Sequence, residues 1–539
     1  MPSRRSRPSW RRLMLVIGTG VAVVAVGLLA TSRPPDTAVP ASTSAGLAAV
    51  PATPAAAPSG SAGTPQPTPA PDTPIVPVVG FWSTDESLST SEIRLAFAGH
   101  DPRYLRVVVG APDLAAIATA LGVQAGPNVE ELAPSAALDA VEGRVDVLGL
   151  IRAADVRPAV RALGVDGQSL FGETRVRSMA SWPLLIPGSS QTDGSVGPGD
   201  FDSDAVWTLV AAGDVMNDRE VYRRTVLLHD GPDFPWEGGT ARIVSRTCCS
   251  GGLTDVQAVR TGNAGAVAAV FREADLALVN HEGPTPNHFS YHPNGYIFTF
   301  DPALEAGIRD AGVDIVSLAN NHIRNAGSAG VVQTIHNVEA AGLTPVGAGA
   351  DIDAADAPVW FTVDGVRVAV LAFDAIDLTA AGATASRAGA APLDLTRCRA
   401  AIVAARAAGA DLVVVIPHWG VEYTSAATAS QRRDAAALIA DGADIILGSH
   451  PHWAGAMEAI GDGVVVYSMG DFIFDLDRSE QTDEGLIVEL TFVGSHLAQI
   501  DLQPTIEIDD SQPNLLDPGG DGQVVLDQVR KASQGLLSW

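Results

Sequence analysis

Seven short apolar runs in the last three-fifths of the 539-residue chain end in side chains that bind metals or transfer protons. A continuous apolar run of this length predicts a β-strand that is buried on both faces. In open α/β sheets, ligands bind beyond the carboxyl ends of the strands, so the residues that follow these runs are expected to converge at one edge. Asp, Glu, Asn and His side chains together are typical of a metal site, and the pattern indicates a metalloenzyme. The residues in question are Asp214, His281, Glu282, Asn320, Asn321, His322, Asp374, His418, His450, His452 and Asp471.

The amide and imidazole motifs are the most specific of these signals. In SerLeuAlaAsnAsnHis at 317–322, two amides and an imidazole directly follow an apolar strand, where they add little to packing. An Asn carbonyl oxygen is a metal ligand, and the next His can reach a metal-bound substrate. His450 and His452 lie two residues apart, so in extended backbone they would point the same way and meet one metal. His418 ends a further apolar run and is expected at the same site as His450 and His452.

The acidic residues carry weaker signals when each is taken alone. An Asp such as Asp214, behind Gly213, is often a turn residue or a helix N-cap. Glu282 has no basic neighbour in sequence, and a structural carboxylate held by backbone amides is the alternative to a metal ligand. Asp471 is predicted to shape the site or to orient a histidine, and Asp374 to cap a loop.

Together the two carboxylates, one amide and three or four histidines suit two divalent metal ions about 3.5–4 Å apart. Mixed nitrogen and oxygen ligands favour Mn, Fe or Zn over Ca or Mg. Two such ions lower the pKa of bound water and stabilise an oxyanion, so hydrolysis of a phosphate ester is the predicted reaction.

The acidic composition argues against one class of binding partner, nucleic acid. The chain has 62 acidic and 34 basic residues, a net charge of −28, which argues against nucleic acid because phosphate backbones need a basic surface. The three cysteines, Cys248, Cys249 and Cys398, lack metal-ligand spacing, and no role is assigned to them.

The N-terminus predicts a membrane anchor. Five arginines precede an uninterrupted apolar stretch over 13–30, which is long enough to span a bilayer. We interpret 1–30 as a cytoplasmic basic end followed by an uncleaved signal anchor. A cleaved signal peptide is the alternative. Because positive residues stay on the cytoplasmic side, the globular part is expected to be extracytoplasmic. Residues 31–77 are almost wholly Ala, Pro, Ser and Thr, which predicts a disordered linker.

Three further segments follow the linker. Residues 78–198 predict a small α/β domain; its FWSTDESLSTSEI segment from Phe81 resembles part of periplasmic substrate-binding proteins of the phosphate or molybdate type, and a structural or polymer-docking role is the alternative. Strands alternate with Ala-rich helices over 205–502, which predicts parallel sheet. Residues 503–539 form an acidic tail, expected to be mobile up to a short helix at 524–537.

Six motifs in order resemble the CapA family of poly-γ-glutamate capsule biosynthesis proteins, over about 207–495. They are GDVM at 213–216, NHEGP at 280–284, SLANNH at 317–322, HWGVEY at 418–423, GSHPH at 448–452 and YSMGDFIFD at 467–475. The resemblance implies a calcineurin-like metallophosphatase fold, an α/β fold with a β-sandwich flanked by helices. It also implies that His322 is the general acid and that the metal ligands are Asp214, Glu282, Asn321, His418, His450 and His452.

Three further residues are predicted near the site, and two positions differ from the residue that is usual in the family. Asn320, Glu422 and Asp471 are expected behind the ligands or beside the substrate. Asn325 stands where the family usually has Asp, and Asp471 where it usually has Asn, which changes the charge near the metals.

Three functions are therefore possible. The first is a membrane-anchored hydrolase that cleaves a phosphoester or a polymer bond in capsule or poly-γ-glutamate metabolism. The second is a non-catalytic assembly or export factor that holds an anionic polymer through its metals, within a capsule synthesis complex. A third reading makes 78–198 a ligand sensor coupled to the enzyme.

Overall fold

The computed structural model describes residues 72–172, 174–188, 201–250, 253–476 and 478–539. The predicted anchor at 13–30 and most of the predicted linker lie outside these residues. Within the described part of the chain, no helix has both the length and the apolar character needed to cross a membrane.

The first described region carries its own sheet. Its first strand begins at Thr73, and Ile75 and Val76 in this strand are fully buried. The linker, predicted to extend to residue 77, therefore ends earlier. Strand order is β4-β3-β5-β1-β6, with β8 also paired to β1 and a separate β2-β7 pair. The strands are β1 (Thr73–Gly80), β2 (Ser87–Leu88), β3 (Arg106–Gly110), β4 (Val129–Leu132), β5 (Val147–Arg152), β6 (Val160–Ala162), β7 (Gly164–Val165) and β8 (Leu185–Ile186). The helices are α1 (Thr90–Phe97), α2 (Leu114–Leu121) and α3 (Pro134–Val141).

The second region, from Val206 onward, contains eighteen strands among the described residues. They are β9 (Val206–Val215), β10 (Thr240–Ser250), β11 (Leu253–Gly262), β12 (Leu276–His281), β13 (Ile315–Ser317), β14 (Thr344–Val346), β15 (Ala348–Gly349), β16 (Val359–Val363), β17 (Val366–Asp374), β18 (Gly389–Ala390), β19 (Leu412–His418), β20 (Ile445–Leu447), β21 (Met457–Ile460), β22 (Gly463–Val466), β23 (Asp471–Ile473), β24 (Glu484–Val493), β25 (His496–Ile508) and β26 (Gln512–Leu516).

Helices alternate with many of these strands, close to the predicted positions. They are α4 (Arg219–Tyr222), α5 (Ala266–Glu273), α6 (Glu305–Asp310), α7 (Gly327–Ala341), α8 (Ile352–Ala355), α9 (Leu395–Ala407), α10 (Ala429–Ala440), α11 (Glu480–Asp483) and α12 (Gln523–Ala532). The apolar stripe of each longer helix packs against a sheet, which is where most of its stability arises.

Two sheets pack face to face as a sandwich, as the family resemblance implies. The first sheet has the order β11-β10-β26-β25-β24-β9-β12-β13-β14, with β23 paired to β9, and the second has the order β16-β17-β19-β20-β22-β21. Leu209 and Leu278 of the first sheet share one buried core with Val370 and Val414 of the second. Helices α5 and α7 cover the outer face of the first sheet, and α9 and α10 that of the second.

The predicted parallel sheet is correct for only part of each layer. Strands β9, β12, β13 and β14 are parallel, as are β17, β19, β20 and β22. The antiparallel strands β24, β25 and β26 and the β10–β11 hairpin were not predicted, because they lack the strand–helix alternation that signals βαβ units.

The prediction of a mobile tail from residue 503 is wrong. Strand β25 crosses that position and pairs with β24 and β26, and β26 also pairs with β10. Beyond it, the predicted terminal helix is present as α12, whose Val525 and Val529 are buried in the core between the sheets. Asp509, Asp510, Asp517 and Asp521 lie in the turns and loops between these elements, so the acidic composition concealed the apolar positions of the strands and the helix.

Candidate metal centre

The predicted ligands converge from both sheets at one edge of the sandwich. In the first sheet, Asp214 on β9 is paired in register with Asp471 on β23, and Glu282 follows β12 directly. In the second sheet, His418 ends β19, and the loop after β20 carries His450 and His452. The expectation that strand-end side chains meet is confirmed for these residues.

Gly213 permits the closest approach of two chains at this edge. A Cβ atom at this position would lie 1.8 Å from the carbonyl oxygen of Gly470. The absence of a side chain therefore lets β9 and the segment before β23 bring Asp214 and Asp471 side by side.

Asp214 lies at the centre of the cluster and is fully buried. Its Oδ1 accepts a hydrogen bond from the Asn280 amide at 2.7 Å, and its Oδ2 accepts the backbone N–H of His450 at 3.3 Å. The Nδ1 of His452 lies 3.7 Å from Oδ2. Burial raises the pKa of Asp214, against the opposing effect of His452 and the Asn280 hydrogen bond.

Two groups of ligand atoms share the Asp214 carboxylate. One group is Asp214, Glu282 and His418, and the other is Asp214, His452 and Asp471; in each, the ligand atoms lie within 4.8 Å of one another. All five residues are buried. A carboxylate common to two groups is the arrangement that a pair of neighbouring metal ions needs.

Three polar atoms of the cluster are buried without a hydrogen-bond partner among the described residues. They are Glu282 Oε2, Asp471 Oδ2 and His450 Nδ1. Leaving such atoms unpaired is costly unless a ligand satisfies them. Oxygen and imidazole nitrogen atoms are the donor set that Mn, Fe and Zn accept, so the residues present fit a metal centre.

The carboxylates of the cluster are held apart from water, and their pKa values follow from this burial. Burial, and next the charge of Asp214, raise the pKa of Glu282 well above its usual range. Burial raises the pKa of Asp471 to about 7. Burial alone would lower the pKa of His452, but the carboxylates of Asp471 and Asp214 outweigh it and raise the value to about 9. The cluster therefore retains protons that a bound cation would displace.

The pKa values of the other two histidines of the cluster are lowered, which favours their neutral form. Burial lowers the pKa of His418 well below its usual range and that of His450 to about 3. His418 is held on both ring nitrogens: Nδ1 lies 3.0 Å from the Ser449 hydroxyl and Nε2 lies 3.0 Å from Asn321 Oδ1. Neutral imidazole is the form that binds a metal.

His322 lies at the rim of the cluster, with its side chain 16% exposed. Its Nε2 lies 3.8 Å from Glu282 Oε1, and its Nδ1 lies 3.1 Å from Asn325 Oδ1. Asn325 Oδ1 also accepts the backbone N–H of Phe298, so its oxygen faces the ring and Nδ1 carries the proton. Burial lowers the pKa of His322 to about 4.

His450 and His452 do not lie in extended backbone, and that prediction is wrong. Both residues have positive φ angles, +94° and +59°, so the segment is a turn rather than extended backbone. The two rings nevertheless lie 6.1 Å apart between centroids, at the same edge. Positive φ in non-glycine residues is costly and persists where surrounding contacts fix it.

Asn280 is a member of the site that was not predicted from the sequence. It is fully buried and connects Asp214 with His418, whose Nδ1 lies 3.4 Å from the Asn280 amide nitrogen. Asn320, which was predicted behind the ligands, donates from Nδ2 to the His281 carbonyl at 2.9 Å. A usable signal existed, because Asn280 precedes Glu282 by two positions and alternate residues of a strand share a face.

His281 lies behind the site, away from the ligands. Its Nε2 lies 2.8 Å from Glu305 Oε1, both residues are fully buried, and the Thr285 hydroxyl donates to the same oxygen at 2.5 Å. Burial would lower the pKa of His281, but the Glu305 carboxylate outweighs it and raises the pKa. The pair fixes the strand end from which Glu282 projects.

The two remaining predicted carboxylates lie outside both ligand groups. Asp374 caps a loop as predicted, since its Oδ1 accepts the backbone N–H of Ile376 at 3.0 Å, and burial raises its pKa to about 7. Glu422 is exposed in the loop after His418, and its charge raises the pKa of Glu282 and of His452.

A family model and two relatives match the region that contains the motifs. The family model of the bacterial capsule synthesis protein PGA_cap matches residues 208–476. The capsule biosynthesis protein CapA of Bacillus anthracis is 30% identical over 280 residues, which cover 50% of this chain and 67% of that protein. The PGA biosynthesis protein CapA of Bacillus subtilis (strain 168) is 29% identical over 225 residues, 41% of this chain and only 59% of the relative. A solved calcineurin-like phosphoesterase from Bacillus subtilis is 11% identical, covering 61% of this chain and 97% of that chain, with a TM-score of 0.29.

Proposed function

Because the chain belongs to the bacterial capsule synthesis family of PGA_cap and CapA proteins, we propose that it is a metal-dependent hydrolase of capsule or poly-γ-glutamate biosynthesis. The bond it cleaves is a phosphoester or a bond of the polymer. We further propose that residues 13–30 anchor the chain in the cell membrane, with the globular part extracytoplasmic.

One observation carries the proposal of a hydrolase. Asp214 is shared by two buried groups of ligand atoms, while Glu282 Oε2, Asp471 Oδ2 and His450 Nδ1 are left without partners among the described residues. A cluster that served only folding would have these atoms paired with protein groups.

One divalent ion would be held by Asp214, Glu282 and His418, and the other by Asp214 and His452. At the same edge lie His450 and Asn321. Asp471 would be a further ligand or the hydrogen-bond partner of His452. Bound there, two such ions supply Lewis-acid stabilisation of an oxyanion and an activated water. The protein's part is to exclude bulk water: Asp214, Glu282 and His418 are each no more than 1% exposed.

His322 is the proposed acid because it borders the cluster without belonging to either ligand group. With Nδ1 directed at Asn325 Oδ1, the Nε2 atom faces Glu282 and the open side of the site. A proton on Nε2 would pass to the leaving group, and an anionic substrate beside the ring would stabilise that protonated form.

The test is metal analysis of the purified full chain, with phosphomonoesterase and phosphodiesterase assays and an assay of poly-γ-glutamate cleavage. About two equivalents of Mn, Fe or Zn and measurable hydrolysis are expected. His322→Ala should lose roughly 10²- to 10⁴-fold in kcat while it retains the metal. Arg433→Ala, an exposed substitution on α10, is the control for handling and folding.

Two outcomes would contradict the hydrolase. Metal without turnover of any ester or polymer would favour the alternative, a non-catalytic metal-binding factor for assembly or export of an anionic polymer. Failure to bind metal would remove both functions, because each depends on the cluster.

A further inference from the structure

A tyrosine and an arginine continue the metal centre outward from His452. The Tyr423 ring stacks on the His452 ring, with centroids 5.8 Å apart and planes 23° apart. On Tyr423 lies the Arg478 guanidinium, whose Cζ atom is 4.0 Å from the ring centroid. The result is a column, Arg478–Tyr423–His452, that leads from the protein surface to a ligand of the cluster.

The column is held in place by a strained backbone. Tyr423 has a φ of +62°, and its backbone N–H donates to the Pro451 carbonyl at 2.8 Å. Pro451 lies between His450 and His452, so one hydrogen bond fixes the tyrosine directly against the histidine turn. A non-glycine residue keeps such a conformation only where its surroundings impose it, most often at functional sites.

Arg478 has donors available at the end of this column. It is exposed, its side chain contacts and hydrogen-bonds to that of Tyr423, and it forms no ion pair with a carboxylate of the described residues. The chain as a whole carries a net charge of −28, so an exposed arginine that has no ion pair among the described residues is a distinct positive feature near the cluster. A guanidinium presents its donors in one plane and binds carboxylate or phosphate oxygens in pairs.

A second arginine lies over the aromatic rings that border His322 and His452. The Cζ atom of Arg219 lies 5.0 Å from the Phe298 ring centroid, and Phe298 lies 4.4 Å from the His322 ring. In contrast to Arg478, Arg219 is buried, and its guanidinium donors already have acceptors in the protein. Its Nε donates to Asp475 at 2.6 Å and its Nη1 donates to the Gly295 carbonyl at 3.1 Å. Arg219 therefore has a structural role in its ion pair with Asp475, while Arg478 has donors that a bound ligand can reach.

We propose that Arg478 is a specificity-determining residue, whose guanidinium, held on Tyr423 beside His452, binds an anionic oxygen group that the substrate carries next to the bond being cleaved. The group is a carboxylate or a phosphate. This inference rests on the proposed function and deepens it. The substrate would carry one anionic group next to the scissile bond, in addition to the negative charge at the scissile bond itself.

Glu422 provides an internal contrast. Its carboxylate neighbours Tyr423 on the same exposed loop and repels an anion that approaches Arg478. Substituting Arg478 and substituting Glu422 should therefore change anion binding in opposite directions. A general effect of loop substitution would change both in the same direction.

The experiment is calorimetric titration of the full chain with two probes, inorganic phosphate and a γ-linked glutamate trimer, in metal-loaded and in chelator-treated protein. Arg478→Ala should weaken binding of at least one probe by roughly ten- to a hundredfold. Arg478→Lys should recover part of the loss, since it restores charge without the planar donors. Glu422→Gln should tighten binding, and Arg433→Ala should leave it unchanged.

The two probes separate the sources of the anion, and the two metal states separate this inference from the proposed function. A loss confined to the trimer identifies a carboxylate, and a loss confined to phosphate identifies a phosphate. Because no turnover is measured, the effect of Arg478→Ala is expected in metal-free protein even if hydrolysis is never found. Equal binding by Arg478→Ala and Arg433→Ala, or no binding of either probe by the wild type, would overturn the inference.

Discussion

The Nδ1 atom of His452 lies 2.7 Å from Oδ1 of Asp471, and both side chains are buried. The hydrogen bond directs the other ring nitrogen, Nε2, away from Asp471, which fixes the orientation of the ring. Carboxylates that orient a histidine ligand in this way contribute to metal affinity although they need not touch the metal. The charge of Asp471, where the family usually has Asn, makes this contact stronger.

Asp471→Ala is therefore expected to weaken binding of the metal at the His452 side by roughly ten- to a hundredfold. Asp471→Asn should cost less, because the amide oxygen still accepts the hydrogen bond from Nδ1. Metal titration of the chelator-treated protein, followed by equilibrium dialysis, measures both. Asp374→Asn is the matched control, since Asp374 is equally buried at the end of β17 but belongs to neither ligand group. An unchanged affinity in Asp471→Ala would exclude this role.

Glu282→Gln should have opposite effects in the two metal states. Without metal, burial and the neighbouring charge of Asp214 destabilise the ionised Glu282, so removing the charge should stabilise the fold at pH 7. With metal, the variant should lose most of the stabilisation that a bound ion gives. Thermal unfolding with chelator and with excess Mn²⁺ measures both effects. A variant that gained the same increase in Tm from Mn²⁺ as the wild type would show that Glu282 is not a ligand.

The strand ends were predictable because their signal is local. Each apolar run marked a buried strand, and Asp214, Glu282 and His418 needed only the rule that ligands collect at the carboxyl ends of strands. The antiparallel strands β24 and β25 were not predictable in the same way, since their partners are set by long-range pairing with β9.

The environment of the ligands was only partly predictable. The positive φ angles of Tyr423, His450 and His452 are imposed by tertiary contacts, such as the hydrogen bond from Tyr423 to Pro451. The Arg478–Tyr423–His452 column joins three segments that are separate in sequence. No periodicity within one segment could predict it.

Gly213→Ala should damage both the fold and the metal centre. The added Cβ would lie 1.8 Å from the Gly470 carbonyl oxygen, a backbone atom that cannot rotate away. The expected cost is about 1–3 kcal/mol or more in the free energy of unfolding, with weaker metal binding because Asp214 is displaced. Gly110→Ala is the control, since the nearest atom to its added Cβ is 4.0 Å away. Denaturant unfolding of both variants decides the question, and equal stabilities would contradict the crowding argument.

The ionisation of Glu484 should make stability depend on pH through a group outside the metal centre. Burial, opposed by Arg246, raises the pKa of Glu484 from 4.5 to about 7. A raised carboxyl pKa means that its stabilising contribution is complete below pH 4.5 and is lost as the pH rises through about 7. Glu484→Gln, which remains neutral, should therefore gain stability over the wild type between pH 5 and pH 8, by at most about 3 kcal/mol. Denaturant unfolding in chelator at these two pH values measures the gain, and Glu339→Gln, on the exposed side of α7, should show none. A difference between Glu484→Gln and wild type that is the same at both pH values would mean that Glu484 does not titrate in this range.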